Sequence, residues 1–362
     1  VFKLSTRTPP SALANKLVTL SLAIFAIGAG VFSSQTQADV DNATFAYAST
    51  ATDLFITAES LNNQNRVPLS LLHLRGDYDY ALAVDLSINQ MFVFTNDNGT
   101  PRLKDTFFAT IGKKGFGKQR EGDNLTPVGI YRIQEFLDDK ELPELYGSGA
   151  LPLNFPNDWD ANLGRTGSGI WIHGMPRDQE RRPALDSRGC VVIDNQLIPE
   201  IHNWAQMRST PVILADKLHW GSKEVSEGLR NELLDVVEDW RNNWASGDMD
   251  SFLAMHSPKF RNAKQTFKQY AAQKRWLAEK RGRIGVHLEE FEIFAYPDVD
   301  HKQVAMVSFK QYYSAADYKD VTFKTQYWQK VDDRWLLKLE RPSKPWPSNP
   351  NAKLLPFILG DE

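Results

Sequence analysis

The chain has 362 residues, and its 42 Lys and Arg against 45 Asp and Glu leave a formal net charge of −3, a near-neutral balance that builds no field for nucleic acid. Hydrophobic residues make up 42% and aromatics 11% of it, which is material for packed cores rather than disorder. A single cysteine excludes an intramolecular disulfide, no cluster has zinc-ligand spacing, and neither a metal nor any other cofactor is expected.

At the N-terminus Lys3, Arg7 and Lys16 precede an apolar run from Leu17 to Phe32. Polar Ser33-Ser34-Gln35 and then Thr36-Gln37-Ala38 follow it. This is the layout of an export signal, so residues 1–38 read as a signal peptide cut after Ala38. The run falls short of the roughly 20 apolar residues that a membrane span needs, and it contains Thr19, Ser21, Gly28 and Gly30. An uncleaved anchor is the competing reading. No cysteine follows the run to take a lipid, so after cleavage no membrane contact is expected.

Residues 39–76 are polar and modestly periodic, a helical lead-in and linker. A domain over 77–218 opens with Tyr80–Leu86, a turn around Asn89, and Met91–Phe94, where alternation predicts a hairpin. Thr106–Ile111 reads as a third strand, followed by a basic loop (Lys113, Lys114, Lys118, Arg120) that leads to Thr126-Pro127-Val128-Gly129. Glu141–Gly169 is loop-rich, with Tyr146 and Trp159 placed to pack on a substrate or inside the loop. Thr210–Leu214 closes the domain as a strand.

Between these lies the stretch that carries chemistry. Ile170–Ile172 is apolar and ends at His173; Val191–Ile193 is apolar and begins after the lone Cys190. The segment joining them (Arg177, Asp178, Glu180, Arg181, Arg182, Pro183, Asp186) is too charged for a core. Neighbouring strands lie about 5 Å apart, so imidazole and thiol could meet at the strand ends. A nearby imidazole or guanidinium favours the nucleophilic thiolate. Gly189 would let a substrate carbonyl approach the backbone, and the amides around Cys190 could bind an oxyanion. A lone cysteine is by itself most often an inert buried residue. Core packing, however, does not call for Ser187-Arg188-Gly189 before a thiol, and Arg188 suits a thiolate neighbour or a carboxylate anchor.

The elements His173-Gly174 and Ser187-Arg188-Gly189-Cys190-Val191 resemble the catalytic motif of the YkuD-type L,D-transpeptidase family. Two positions depart from it: Arg188 stands where histidine is usual, and Val192 where arginine or asparagine is common. The strand order and Thr126-Pro127-Val128-Gly129 resemble the same family. The resemblance implies a mainly β catalytic domain, a YkuD-type β-sandwich. It also implies Cys190 as nucleophile, His173 as base and the Gly174 carbonyl as the group orienting that base, with Gly189, Arg188 and Ser187 at the oxyanion and substrate side.

A second unit spans 222–341. Leu229, Leu233, Val236, Val237, Trp240 and Trp244 follow helical spacing up to Ser246-Gly247-Asp248. Asp250 is expected to cap a short helix, Ser251–Met255. Strands are predicted at Val286–Tyr296, Val304–Ser314 and Val321–Val331, with Asp332-Asp333 turning into Trp335–Glu340. The order resembles the α+β SnoaL-like cone related to nuclear transport factor, whose pocket Trp276, His287, Tyr312 and Tyr327 would reach. Residues 342–362 form a Pro-rich tail.

What the resemblance implies is a periplasmic enzyme whose partners are peptidoglycan stem peptides. Its thioester would pass to water (L,D-carboxypeptidase) or to an amine (L,D-transpeptidase). Both domains together resemble the L,D-carboxypeptidases of cell-shape control. Alternatives are a catalytically degenerate cell-wall-binding protein and a sortase-like transpeptidase; the order of His173 and Cys190 argues against the latter. The sequence leaves the oligomeric state open, a homodimer included.

Overall fold

The computed structural model describes residues 57–343, leaving out Gln64, Asp77, Glu180, Arg181, Lys264 and 298–302. All of these belong to one compact unit. The signal-peptide reading and most of the Pro-rich tail lie outside the described residues.

In chain order the elements begin with α1 (Ala58–Asn63), β1 (Arg66–Pro68), β2 (Leu71–His73), β3 (Tyr80–Asp85), β4 (Gln90–Asp97), β5 (Thr100–Phe108) and β6 (Ile111–Gly112). They continue with β7 (Gly129–Arg132), β8 (Leu137–Asp138), β9 (Gly149–Pro152), α2 (Asp158–Asn162), β10 (Trp171–Gly174), β11 (Leu185–Ser187), β12 (Val191–Ile193), α3 (Leu197–Trp204), β13 (Pro211–Ala215) and β14 (Trp220–Ser222). The second half holds α4 (Lys223–Ser246), α5 (Met249–Ala254), β15 (His256–Arg261), α6 (Phe267–Arg281), β16 (Gly285–Tyr296), β17 (Val304–Ala315), β18 (Tyr318–Val331) and β19 (Arg334–Ser343).

The expected fold class is found: a mainly β domain followed by an α+β domain. A five-stranded sheet runs β5-β4-β3-β13-β7, and a four-stranded sheet runs β12-β10-β9-β8. Strand parity puts alternate residues on opposite faces. Leu82, Val84, Met91, Val93, Val212 and Leu214 face one way, onto Leu151, Ile172, Val191 and Ile193 of the four-stranded sheet. Ala81, Ala83, Phe92, Phe94, Ile213 and Ala215 face the other way. There they meet Phe294, Tyr296, Val304, Met306 and Tyr327 of a six-stranded sheet, β15-β19-β18-β17-β16-β2. The far side of that sheet packs on α4 to α6 through Val237, Trp240, Phe252 and Tyr270. The central sheet is therefore buried on both faces, which is why β3 and β4 lack polar positions in their cores.

Polar contacts also cross between the two domains. Glu292 of β16 accepts from the Tyr78 hydroxyl at 3.0 Å and pairs with Arg132 at the end of β7. Asn157 donates to the Tyr296 hydroxyl at 2.8 Å, and Trp159 stacks on Tyr327 with ring centroids 5.3 Å apart.

Several expectations need correction. The strand read at Thr106–Ile111 is two: β5 stops at Phe108, and β6 leaves the sheet to pair with β11. The segment read as a linker contains β2, which adds to the edge of the six-stranded sheet beside β16. Asp248, not Asp250, caps α5, accepting from the Ser251 amide at 3.0 Å. Trp159 is interdomain core rather than a substrate wall. Of the proposed cone residues, Trp276 is 57% exposed and Tyr327 faces the catalytic domain. Only His287 and Tyr312 line an open groove, of about 1140 Å³.

Candidate active site

The four-stranded sheet brings the chemistry together. β10 and β12 are adjacent and parallel, with Ile172 opposite Val191, His173 opposite Val192 and Gly174 opposite Ile193. Ile172, Val191 and Ile193 point into the sandwich core. By parity His173 and Val192 project from the opposite face, and Cys190 stands immediately before β12. The residue carrying the thiol thus enters the strand beside the one that carries the imidazole.

His173 is 4% exposed. Its Nδ1 lies 2.7 Å from the Gly174 carbonyl, so in the neutral ring the proton sits on Nδ1 and the Nε2 lone pair stays available. Burial drives its pKa down to about 4; the Gly174 bond pulls the other way, and the Arg182 charge adds to the lowering. The Tyr146 ring meets the imidazole edge-on at 5.0 Å. Of the two aromatics flagged in the loop-rich stretch, it is therefore Tyr146 that reaches the site.

Cys190 is half-buried and free. Its Sγ donates to the Gly169 carbonyl at 3.4 Å, and no hydrogen bond joins it to the imidazole. Burial pushes the thiol above its ordinary pKa, opposed by the Trp171 amide and by the charges of Arg182 and Lys118. The resting pair is therefore neutral thiol and neutral imidazole, not the thiolate pair that the sequence suggested. Such distances are often loose without substrate.

The turn before the thiol is built from Ser187. Its hydroxyl donates to the Cys190 carbonyl at 2.6 Å and accepts from the Gly189 amide at 3.0 Å. Two expectations about Gly189 change as a result. Its amide is already engaged, and the space where a side chain would go is filled by the Leu125 carbonyl, 2.7 Å from a built Cβ, rather than left for substrate. The residue is needed because φ is 122°, where a side chain is strained. Among the described residues no acceptor faces the Cys190 amide.

Arg188 is exposed and makes no ion pair among the described residues. The cations whose charge reaches the thiol are Arg182 and Lys118 instead. Lys118 is buried and bound to Asp123 at 2.7 Å and to the Arg120 carbonyl at 3.1 Å. Asn195 was not anticipated either. Its Oδ1 accepts from the Ser148 amide at 2.9 Å and its Nδ2 donates to the Met175 carbonyl at 2.8 Å. It ties the Tyr146 segment to the end of β10. The sequence signal for it was slight: an asparagine just past the apolar run that follows the cysteine.

Residues 79–214 match the family described as the L,D-transpeptidase catalytic domain, YkuD, a span that contains both His173 and Cys190. Residues 232–341 match the Cds6 C-terminal NTF2-like domain. Among solved structures, Bd1075 of Bdellovibrio bacteriovorus is 29% identical with a TM-score of 0.68, covering 77% of this chain and 98% of its own. Pgp2 of Campylobacter jejuni, described as a helical cell shape determining protein, is 22% identical with a TM-score of 0.64, covering 78% of this chain and 98% of its own. The likeness to Pgp2 is one of fold. No curated protein matches the chain.

Proposed function

We propose, from the premise that this chain joins an L,D-transpeptidase catalytic domain to an NTF2-like domain, that it is an exported cysteine acyl-transfer enzyme of the cell wall. Its substrate is the tetrapeptide stem of peptidoglycan. The observation that supports this is the pairing of β10 with β12, the strand holding His173 beside the strand that Cys190 enters, with Nδ1 of the ring already tied to Gly174.

The chemistry follows from those positions. Nε2 of His173 takes the thiol proton as Sγ attacks the carbonyl carbon before the terminal D-alanine. The Cys190 amide, left without an internal acceptor, donates to the oxyanion, while Ser187 keeps the turn in shape. The C–N bond breaks, the imidazolium protonates the leaving amine, and a thioester remains. Water, deprotonated by His173, then attacks the thioester; the C–S bond breaks, the thiol regains its proton and a tripeptide leaves. An amine in place of water gives a crosslink.

Hydrolysis is our choice between the two outcomes. The two-domain architecture is that of Bd1075 and of Pgp2, and the latter's description as a cell shape determinant fits trimming of stems. The test is incubation of purified protein with a disaccharide-tetrapeptide and mass analysis of the products. Tripeptide with free D-alanine and no dimer is expected from the wild type, and nothing from Cys190→Ala. Dimers would move the assignment to transfer, and turnover by Cys190→Ala would remove the nucleophile. A cell-wall-binding role without catalysis is favoured by one feature, the missing bond between Sγ and the imidazole. Equal labelling of Cys190 by a thiol probe in wild type and in His173→Ala would support that reading instead.

A further inference from the structure

The loop between His173 and Cys190 places a second functional group at the site. Pro183 is anchored there: its carbonyl accepts from the Thr110 hydroxyl at 2.8 Å, and Thr110 exchanges two backbone bonds of 2.8 Å with Val192. The Ala184 carbonyl is held by the Ile111 amide and by Asn89 Nδ2, both at 2.9 Å. Arg182 precedes this anchored stretch, and its charge reaches both Cys190 and His173. Its guanidinium is fixed on one edge, with Nε 2.8 Å from Asp186 Oδ2 and Nη2 3.2 Å from the Asp186 carbonyl. The side chain is 11% exposed. Nη1 is buried and has no hydrogen-bond partner among the described residues.

A buried guanidinium nitrogen without an acceptor is costly. Such a nitrogen calls for an explanation, and a ligand absent from the free protein supplies one. The other cations near the thiol offer no comparable vacancy: Lys118 is bound to Asp123 and to the Arg120 carbonyl, and Arg188 stands out in solvent. Position 192, on the face of His173, is valine and supplies no charge.

We propose that Arg182 Nη1 holds the terminal carboxylate of the peptide whose penultimate carbonyl meets Cys190, making Arg182 the residue that restricts the enzyme to free C-termini. This rests on the peptidase reading given above and adds to it the means by which the end of the chain is chosen. Asp186 sets the guanidinium plane so that one edge is spent inside the protein and the other is offered to the carboxylate.

Two measurements test it, and they fail independently of each other. In the first, wild type cleaves a stem tetrapeptide ending in a free carboxylate and is slower on the same peptide as its C-terminal amide. Arg182→Gln should lose about 10- to 100-fold in kcat/KM on the acid and little on the amide, with Arg182→Lys in between. Equal losses on acid and amide would overturn the proposal, as would a wild type indifferent to the terminal charge. In the second, Cys190 is alkylated with iodoacetate and with iodoacetamide, which needs no turnover. The rate ratio of anionic to neutral reagent should drop several-fold in Arg182→Gln and be partly restored in Arg182→Lys. An unchanged ratio would overturn the proposal. A changed ratio without any peptide cleavage would leave the carboxylate site standing and remove the peptidase reading.

Discussion

The Nδ1 of His173 and the carbonyl oxygen of Gly174, its neighbour in the chain, lie 2.7 Å apart. A histidine locked to its own strand in this way cannot turn its ring without breaking a buried hydrogen bond. The tautomer and the direction of Nε2 are thus set before any substrate arrives.

The protonation state of that ring has a kinetic consequence. With a pKa near 4 the imidazole is a competent base well below neutrality, and the thiol stays protonated past its ordinary value. The pH profile of kcat/KM should therefore rise through about 4, rather than through the 6.5 of a solvated histidine, and should not fall until above the usual thiol range. An acid limb found near 6.5 would mean that the ring is solvated and would sink this description of the site.

Acid should also unfold the protein earlier than its carboxylates alone require. Burial lowers His73, His173 and His256 to about 4 each. The unfolded chain takes up these protons near 6.5 and the folded one not until about 4. Their stabilisation is therefore complete above 6.5 and is lost as pH falls through that window, up to about 3 kcal/mol for each group. His256 is the one to remove, since it lies outside the catalytic domain, with Nδ1 2.9 Å from the Phe252 carbonyl and Nε2 without a hydrogen-bond partner among the described residues. Urea unfolding of His256→Phe between pH 7 and 4.5 should give a shallower loss of stability than wild type. An identical slope would show that His256 titrates normally in the fold.

Asn195 and Gly174 share one small space. A side chain on Gly174 would collide with Asn195 Oδ1 and would crowd the Ser148 amide. Gly174→Ala is expected to displace the carbonyl that holds His173 and to abolish turnover. Asn195→Ala leaves the Ser148 amide and the Met175 carbonyl unpaired, at a cost of about 1–3 kcal/mol, and frees the segment carrying Tyr146. Thermal unfolding and steady-state kinetics on both variants check this. Wild-type kcat in Asn195→Ala would show that the Tyr146 segment needs no such tie.

The difference between what was legible and what was not is physical. The hairpin of β3 and β4 declares itself through alternation and through Asn89, whose φ of 56° suits a tight turn. His173 and Cys190 stand out because each borders an apolar run. Arg182 and Lys118 do not, because in one dimension a buried cation looks the same as the solvated charges around it. The helix α6 was missed for a related reason: Tyr270 is its only buried residue, so it has no apolar stripe, and only its Thr266–Gln269 capping box marks its start. The strand β2 is three residues long and pairs with a partner more than two hundred positions away, which no local pattern reveals.

The union of the two domains rests on a charge as well as on hydrocarbon. Glu292 is 1% exposed. Burial pushes its carboxyl up, but Arg132 and Arg75 outweigh that and hold it below the ordinary range. Neutralising it in Glu292→Gln leaves the Arg132 guanidinium, only 17% exposed, without its anion between two sheets. Breaking one side of such a pair typically costs about 3–5 kcal/mol. The expected result is a melting transition lowered by several degrees and still single, because the five- and six-stranded sheets share one apolar interface. The double variant Arg132→Met with Glu292→Met should recover part of the loss, since it removes the desolvation of Arg132 and Glu292 but leaves the buried Arg75 without this anion. Two separate transitions in wild type would contradict a shared core, and a Glu292→Gln protein as stable as wild type would show that the hydrocarbon contacts suffice to hold the domains together.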